Sequence, residues 1–178
     1  PSVEELSPEI GALALRFMSI TNEINELSRA AAKDGIATIA EKARRELLIL
    51  ASGLDPDYYD QAPFVEAVRR LALGSPHHPV RVLLREPRAV VLRGHRLIAL
   101  ARQLSSRIAI RRLGEDFRDR QDAFLIADGR GYCLRRLAGA AEAVADLDGP
   151  RQARLLRAEF EQMWERGDVD GELRRLFL

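Results

Sequence analysis

The sequence predicts a mixed α/β domain with a mostly parallel sheet flanked by helices. Three observations carry this expectation. Short continuous apolar runs, "LLILAS", "VRVLLRE" and "RIAIRRL", alternate with amphipathic stretches of helical period. The stretches between them are long enough for the right-handed crossovers that parallel neighbours require. After the third run the rhythm changes to two apolar runs joined by an Asp-Gly turn, which marks an antiparallel hairpin. A length of 178 residues fits one domain, read here as a helical extension over 1–30 and an α/β domain over 31–178. Hydrophobic residues make up 47% of the chain, enough to bury a core and to exclude a disordered class.

In chain order, "SPEIGALALRF" opens like a helix, with Pro8 at a tolerated first-turn position. "MSITNEINELSRAAA" continues that helix or breaks it near Thr21 and Asn22, and the extension packs on the domain or on a partner. "DGIATIAEKARRE" places Ile36, Ile39, Ala40 and Ala43 at helical spacing behind Asp34 as cap. Leu47–Ser52 is apolar throughout, as in a strand covered on both faces. "GLDPDYYDQ" reads as a loop, and "PFVEAVRRLAL" as an amphipathic helix stopped by Gly74. A second strand over Val80–Glu86 precedes a helix in "LRGHRLIALARQLSS", with Leu97, Leu100, Ala101 and Leu104 on one face. The third strand spans Arg107–Leu113. "DAFLIAD" and "GYCLRRL" form the hairpin. A helix from Pro150 to Gly167 buries Leu155, Leu156, Phe160, Met163 and Trp164, and "DGELRRLFL" adds a short tail helix.

Composition narrows the function classes. No apolar stretch reaches the roughly 20 residues that span a bilayer, and "PSVEELSPEI" has no signal-like basic and apolar regions. A soluble, cytoplasmic chain is expected. Cys133 is the only cysteine, which excludes an intramolecular disulfide and a cysteine metal cluster. Its apolar setting suits a buried thiol better than a nucleophile. The net charge of +1 argues against nucleic-acid binding by bulk electrostatics without excluding it. Only Lys33 and Lys42 of the 28 basic residues are lysines. Arginine is the fork-shaped donor for carboxylates and phosphates, although a codon bias produces the same excess.

Candidate polar sites are few. "GEDFRDRQD" gathers Glu115, Asp116, Arg118, Asp119, Arg120 and Asp122 beyond the third strand. Carboxylates beside arginines bind phosphate or work as acid and base, or else simply pair with one another. Asp116 and Arg118 are the pair expected nearest Gln121. Asp55, a ligand candidate or a turn residue before Pro56, follows the first strand, and Arg85 ends the second, where open α/β sheets place ligands. His77 and His78 sit in a Pro-flanked turn without a metal-binding partner motif, and His95 reads as a surface or satisfied side chain. Gly-rich phosphate loop, nucleophile elbow and HExxH are all lacking, and no metal or cofactor is expected.

The strand-loop "ELLILASGLDP", the hairpin "QDAFLIADGRGY" and the terminal "DLDGPRQARLLRAEFEQMWERG" together resemble a phospholipase D superfamily half-domain over residues 35 to 167. The family motif is HxKxxxxD. Its Asp falls on Asp128, its Lys on Ala123 and its His on Gln121. A strand's alternation puts 121 and 123 on one face, directed into the site. Gln cannot carry a phosphoenzyme bond, and the methyl of Ala stabilises no phosphoryl charge. "RRLAGAAEA" also stands where the family's Gly-Ser-x-Asn is expected. The resemblance implies a non-catalytic binding or regulatory module. A single half implies a homodimer with the hairpin near the two-fold axis. It further implies a residual cleft in which Asp55, Arg85, Asp116, Arg118, Gln121, Asp128 and Arg135 meet a phosphate-bearing anion. The chain is also similar to a bacterial group of half-domains that accompany acetyltransferases, which makes an acetyltransferase a candidate partner through residues 1 to 30. A hydrolase using the acidic loop is the alternative from another class.

Overall fold

The structure is a computed structural model describing residues 8–75, 77–137, 140, 142–169 and 171–176. The first seven residues of the expected extension lie outside the described residues, as do 138, 139 and 141 in the "RRLAGAAEA" segment.

A six-stranded mixed sheet flanked by helices forms the centre, in the order β3-β2-β1-β4-β5-β6. β1 (Leu47–Ala51), β2 (Val80–Leu84) and β3 (Ile108–Arg112) run parallel. β4 (Ala123–Ala127) lies antiparallel to β1, and β5 (Gly131–Arg135) and β6 (Val144–Asp146) continue the antiparallel half. Every residue of β1, β4 and β5 is buried, because helices cover both faces of these strands.

The faces divide by parity. On one, Leu47, Ile49, Val80, Val82, Ile108, Ile110 and Leu125 pack with the C-terminal part of α1 (Pro8–Lys42), α3 (Ala62–Gly74) and α5 (Arg96–Gln103). On the other, Leu48, Leu50, Leu83, Phe124 and Ile126 meet α6 (Pro150–Glu165) through Ala153, Leu156, Phe160, Met163 and Trp164. Leu155, expected among these, is exposed, and Ala153 takes its place. The i, i+3 stripe through 153, 156, 160, 163 and 164 leaves 155 about two residues off the face.

Arginines clamp α6. Arg81 forks onto Glu161 at 2.9 and 2.6 Å while its guanidinium lies 5.5 Å from the ring centroids of Phe160 and Trp164. Arg157 grips Glu46 at 2.6 Å, and Arg111 stacks 4.3 Å over Trp164. Arg81 holds Glu161 below the usual carboxylate range.

Three expectations are corrected. Asp34 does not cap a new helix, because α1 runs unbroken from Pro8 to Lys42. Gly35 inside it permits a close approach, since a Cβ there would stand 3.3 Å from that of Ala145. The helix read through "LRGHRLIALARQLSS" is two, α4 (Pro87–Arg93) and α5, broken at Gly94 with φ 75°. The "GLDPDYYDQ" loop contains a one-turn helix, α2 (Pro56–Tyr59). The tail helix is present as expected, as α7 (Gly171–Leu176) after α6.

Candidate functional site

β4 runs against β1 with Phe124 opposite Leu50, so Ala123 and the residues before it lie at the C-terminal edge of the parallel strands. Chain connectivity reverses across β1, from β2 and β3 on one side to β4 on the other. Such a switch point opens a crevice beyond the strand ends. Asp55, Tyr58, Tyr59, Arg85, Gln121, Ala123 and Arg135 belong to this edge through their places at the ends of β1, β2, β4 and β5.

Local chemistry fixes each of them. Asp55 caps α2, accepting a hydrogen bond from the Asp57 amide at 3.0 Å. Before it, Leu54 is fully buried with φ 53°, a left-handed conformation that costs a non-glycine residue roughly 1–3 kcal/mol. Ala123 is paired directly with Arg135 across the β4–β5 ladder. Cross-strand partners place their Cβ atoms about 5 Å apart on one face, so a guanidinium on β5 neighbours the methyl on β4. Arg135 is buried and lies 4.4 Å over the Tyr58 ring. It also hydrogen-bonds Tyr59, whose hydroxyl is pushed up to about 12 by burial despite that cation. Burial likewise pushes the Cys133 thiol up to about 11.

Arg85 donates through Nη1 to the Asp122 carbonyl at 2.7 Å. Its Nη2 is buried and makes no hydrogen bond, and neither does the buried Tyr58 hydroxyl. Burial lowers the Arg85 pKa, partly offset by Asp122 and reinforced by the positive charges of Arg120 and Arg135. Arg85 as a whole is half-buried, but a sealed donor left without a partner is costly. Pairing Nη2 with an anion would offset that cost and the repulsion, and requires the atoms that seal it from solvent to move aside.

Gln121 is exposed and lines a groove of about 330 Å³ with Arg120, Asp122, Arg136, Gln152 and Glu159. Arg85 lines a separate, open depression of about 650 Å³ with Arg88 and Arg112.

Other expected residues are elsewhere. Asp128 sits at the opposite edge of the sheet, one β4 length or roughly 16 Å from Ala123. It adopts φ 55° in the hairpin turn, and its carboxylate accepts from the amides of Arg44, Arg45 and Glu46 at 2.8–2.9 Å. Asp116 and Arg118 are exposed and do not line the Gln121 groove. Asp116 pairs with Arg166 at 2.7 Å and Arg118 with Glu115 at 3.7 Å. Arg120 forks onto Asp122 and reaches Glu159 at 2.7 Å. Glu115, Asp116 and Asp122 of the acidic loop are each paired with an arginine.

His95 is buried, and its Nδ1 accepts from the Leu97 amide at 3.1 Å to cap α5. Tyr58, hidden in a segment read as a loop, is the site residue that sequence reasoning missed. Among the described residues, no group of three His, Cys, Asp or Glu side chains is arranged to hold a metal. No helix among them is long and apolar enough to cross a membrane.

Residues 28–176 match the family described as a domain of unknown function, DUF7931, and the chain belongs to that family. No curated protein matches the chain. Among solved structures it is similar to TrmBL2, an archaeal chromatin protein described as showing a novel mode of DNA binding. The TM-score is 0.53 at 16% sequence identity, and the match covers 93% of this chain and 67% of that one. At that identity the likeness is one of fold.

Proposed function

We propose that this chain is a non-catalytic, phospholipase D-like binding module whose crevice at the C-terminal edge of β1 and β2 holds a phosphate-bearing anion. The observation that carries the reading is the buried, unused Nη2 donor of Arg85. Tyr58 supports it with a second unused hydroxyl, and Arg135 adds positive charge beside the Ala123 position. Catalysis is not part of the reading. Gln121 and Ala123 offer neither a phosphoryl-accepting ring nor an ammonium, and the carboxylates of the acidic loop that would serve a hydrolase pair with arginines instead.

Isothermal calorimetry with inorganic phosphate tests the reading. Saturable binding is expected, weakened about tenfold or more by Arg85→Gln, since a charge-assisted hydrogen bond contributes about 1.5–3 kcal/mol. Absence of binding, or equal binding by the variant, overturns it. A short DNA duplex in a parallel titration distinguishes free phosphate from a nucleic-acid backbone, the partner chemistry described for TrmBL2. Binding through the backbone carries a steep salt dependence. Turnover of a chromogenic phosphodiester that Asp116→Ala abolishes would establish the hydrolase instead.

A further inference from the structure

The long first helix carries an apolar seam that its own domain leaves uncovered. Ile10, Leu13, Phe17, Ile20, Ile24 and Leu27 are each between 49% and 72% exposed. They follow one another at alternating steps of three and four residues. That is the a/d repeat of a coiled coil, whose 3.5-residue period keeps the seam against a partner helix. Between residues 8 and 31 only Gly11 and Ser28 are even half-buried, so the free segment is a rod of roughly 36 Å. Six large apolar side chains along one such face amount to a patch of the kind that marks an interaction surface.

Charge selects the occupant. The segment carries Arg16 and Arg29 against Glu9, Glu23 and Glu26, a slight negative excess that disfavours an anionic lipid surface. A second copy fits in one orientation. Laid antiparallel, Ile10 packs on Leu27 of the other copy, Leu13 on Ile24, and Phe17 on Ile20. The flanking g positions then bring Arg16 to Glu23 and Glu23 to Arg16, giving two ion pairs. Laid parallel, Arg16 and Glu23 face Thr21 and Ser28 and gain no partner of opposite charge. Leu15 and Met18 lie off this seam in either case.

We infer that α1 is a homodimerisation element, pairing two copies through an antiparallel coiled-coil seam in which Arg16 of each meets Glu23 of the other. The α/β units, anchored from Ala32 onward, then hang at opposite ends of the rod, with both crevices open. This pairing does not depend on what the crevice binds.

Sedimentation equilibrium of the full chain is expected to give a dimer. Phe17→Glu and Ile20→Glu are expected to give monomers that keep the far-UV circular dichroism of the α/β unit, since neither side chain packs within the chain. Arg16→Glu and Glu23→Arg singly weaken the dimer, by about fivefold or more, and together restore it. Mild oxidation of mixed Ile10→Cys and Leu27→Cys chains gives the mixed disulfide, while Ile10→Cys alone does not cross-link to itself. A monomeric parent chain, a dimer indifferent to Phe17→Glu, or efficient self-cross-linking of Ile10→Cys overturns the proposal.

Discussion

Asp128 and His95 show how single polar side chains are committed to holding this fold. Asp128 occupies a left-handed turn position before Gly129 while taking three backbone amides from the link between α1 and β1. Asp128→Ala is expected to lose about 2–3 kcal/mol, because three donors lose a charged acceptor. Asp128→Asn keeps the turn preference and is expected to lose roughly half of that; urea denaturation at neutral pH checks both. His95 accepts the Leu97 amide in its neutral form, and burial lowers its pKa despite Asp60 nearby. The unfolded chain therefore protonates first as pH falls. Stability from this group is intact above about pH 6.5 and is lost as pH drops from there toward the lowered native value. Thermal melts across that window are expected to show the decline in the parent chain and a flatter profile in His95→Asn.

At the scale of elements, the clamp on α6 is the most testable. Arg81 joins a fork to Glu161 with stacking on two aromatic rings. Arg81→Ala is expected to cost about 2–3 kcal/mol and Arg81→Lys somewhat less, since an ammonium keeps the charge but not the fork or the stack. Guanidinium denaturation measures the difference. The elements most legible in the sequence were those with strong apolar runs. β1, β2, β3 and the β4–β5 hairpin fall within a residue or two of expectation, because a buried strand declares itself by composition. α1 was not legible as one helix: Asp34-Gly35 looks like a start, yet Ile36, Ile39 and Ala40 pack well enough to offset the roughly 1 kcal/mol cost of a helical glycine. β6 had no signal at all, being three exposed residues recruited by the edge of β5.

For the whole molecule, the division of the sheet into a parallel and an antiparallel half puts the switch in connectivity at β1. The sequence rhythm foretold that division. The expectation that strand alternation puts 121 and 123 on one face is corrected. β4 starts at Ala123, which is buried opposite Arg135, while exposed Gln121 precedes the strand and lines a groove beside α6. The rhythm did not reveal that Arg135 neighbours Ala123, because that depends on hairpin register, nor that Tyr58 faces the same edge from a one-turn helix. Asp55, Arg85, Gln121 and Arg135 share the edge, whereas Asp116, Arg118 and Asp128 serve contacts elsewhere. Cys133, buried at the centre of β5, is expected to resist thiol reagents in the native chain and to react only on unfolding.

The most direct measurement is calorimetric titration of inorganic phosphate into the parent chain and Arg85→Gln. Saturable binding in the parent that falls about tenfold or more in the variant is the expected result. A parent chain that takes up no phosphate, or a variant that binds it equally well, would contradict an anion site at the Arg85 guanidinium.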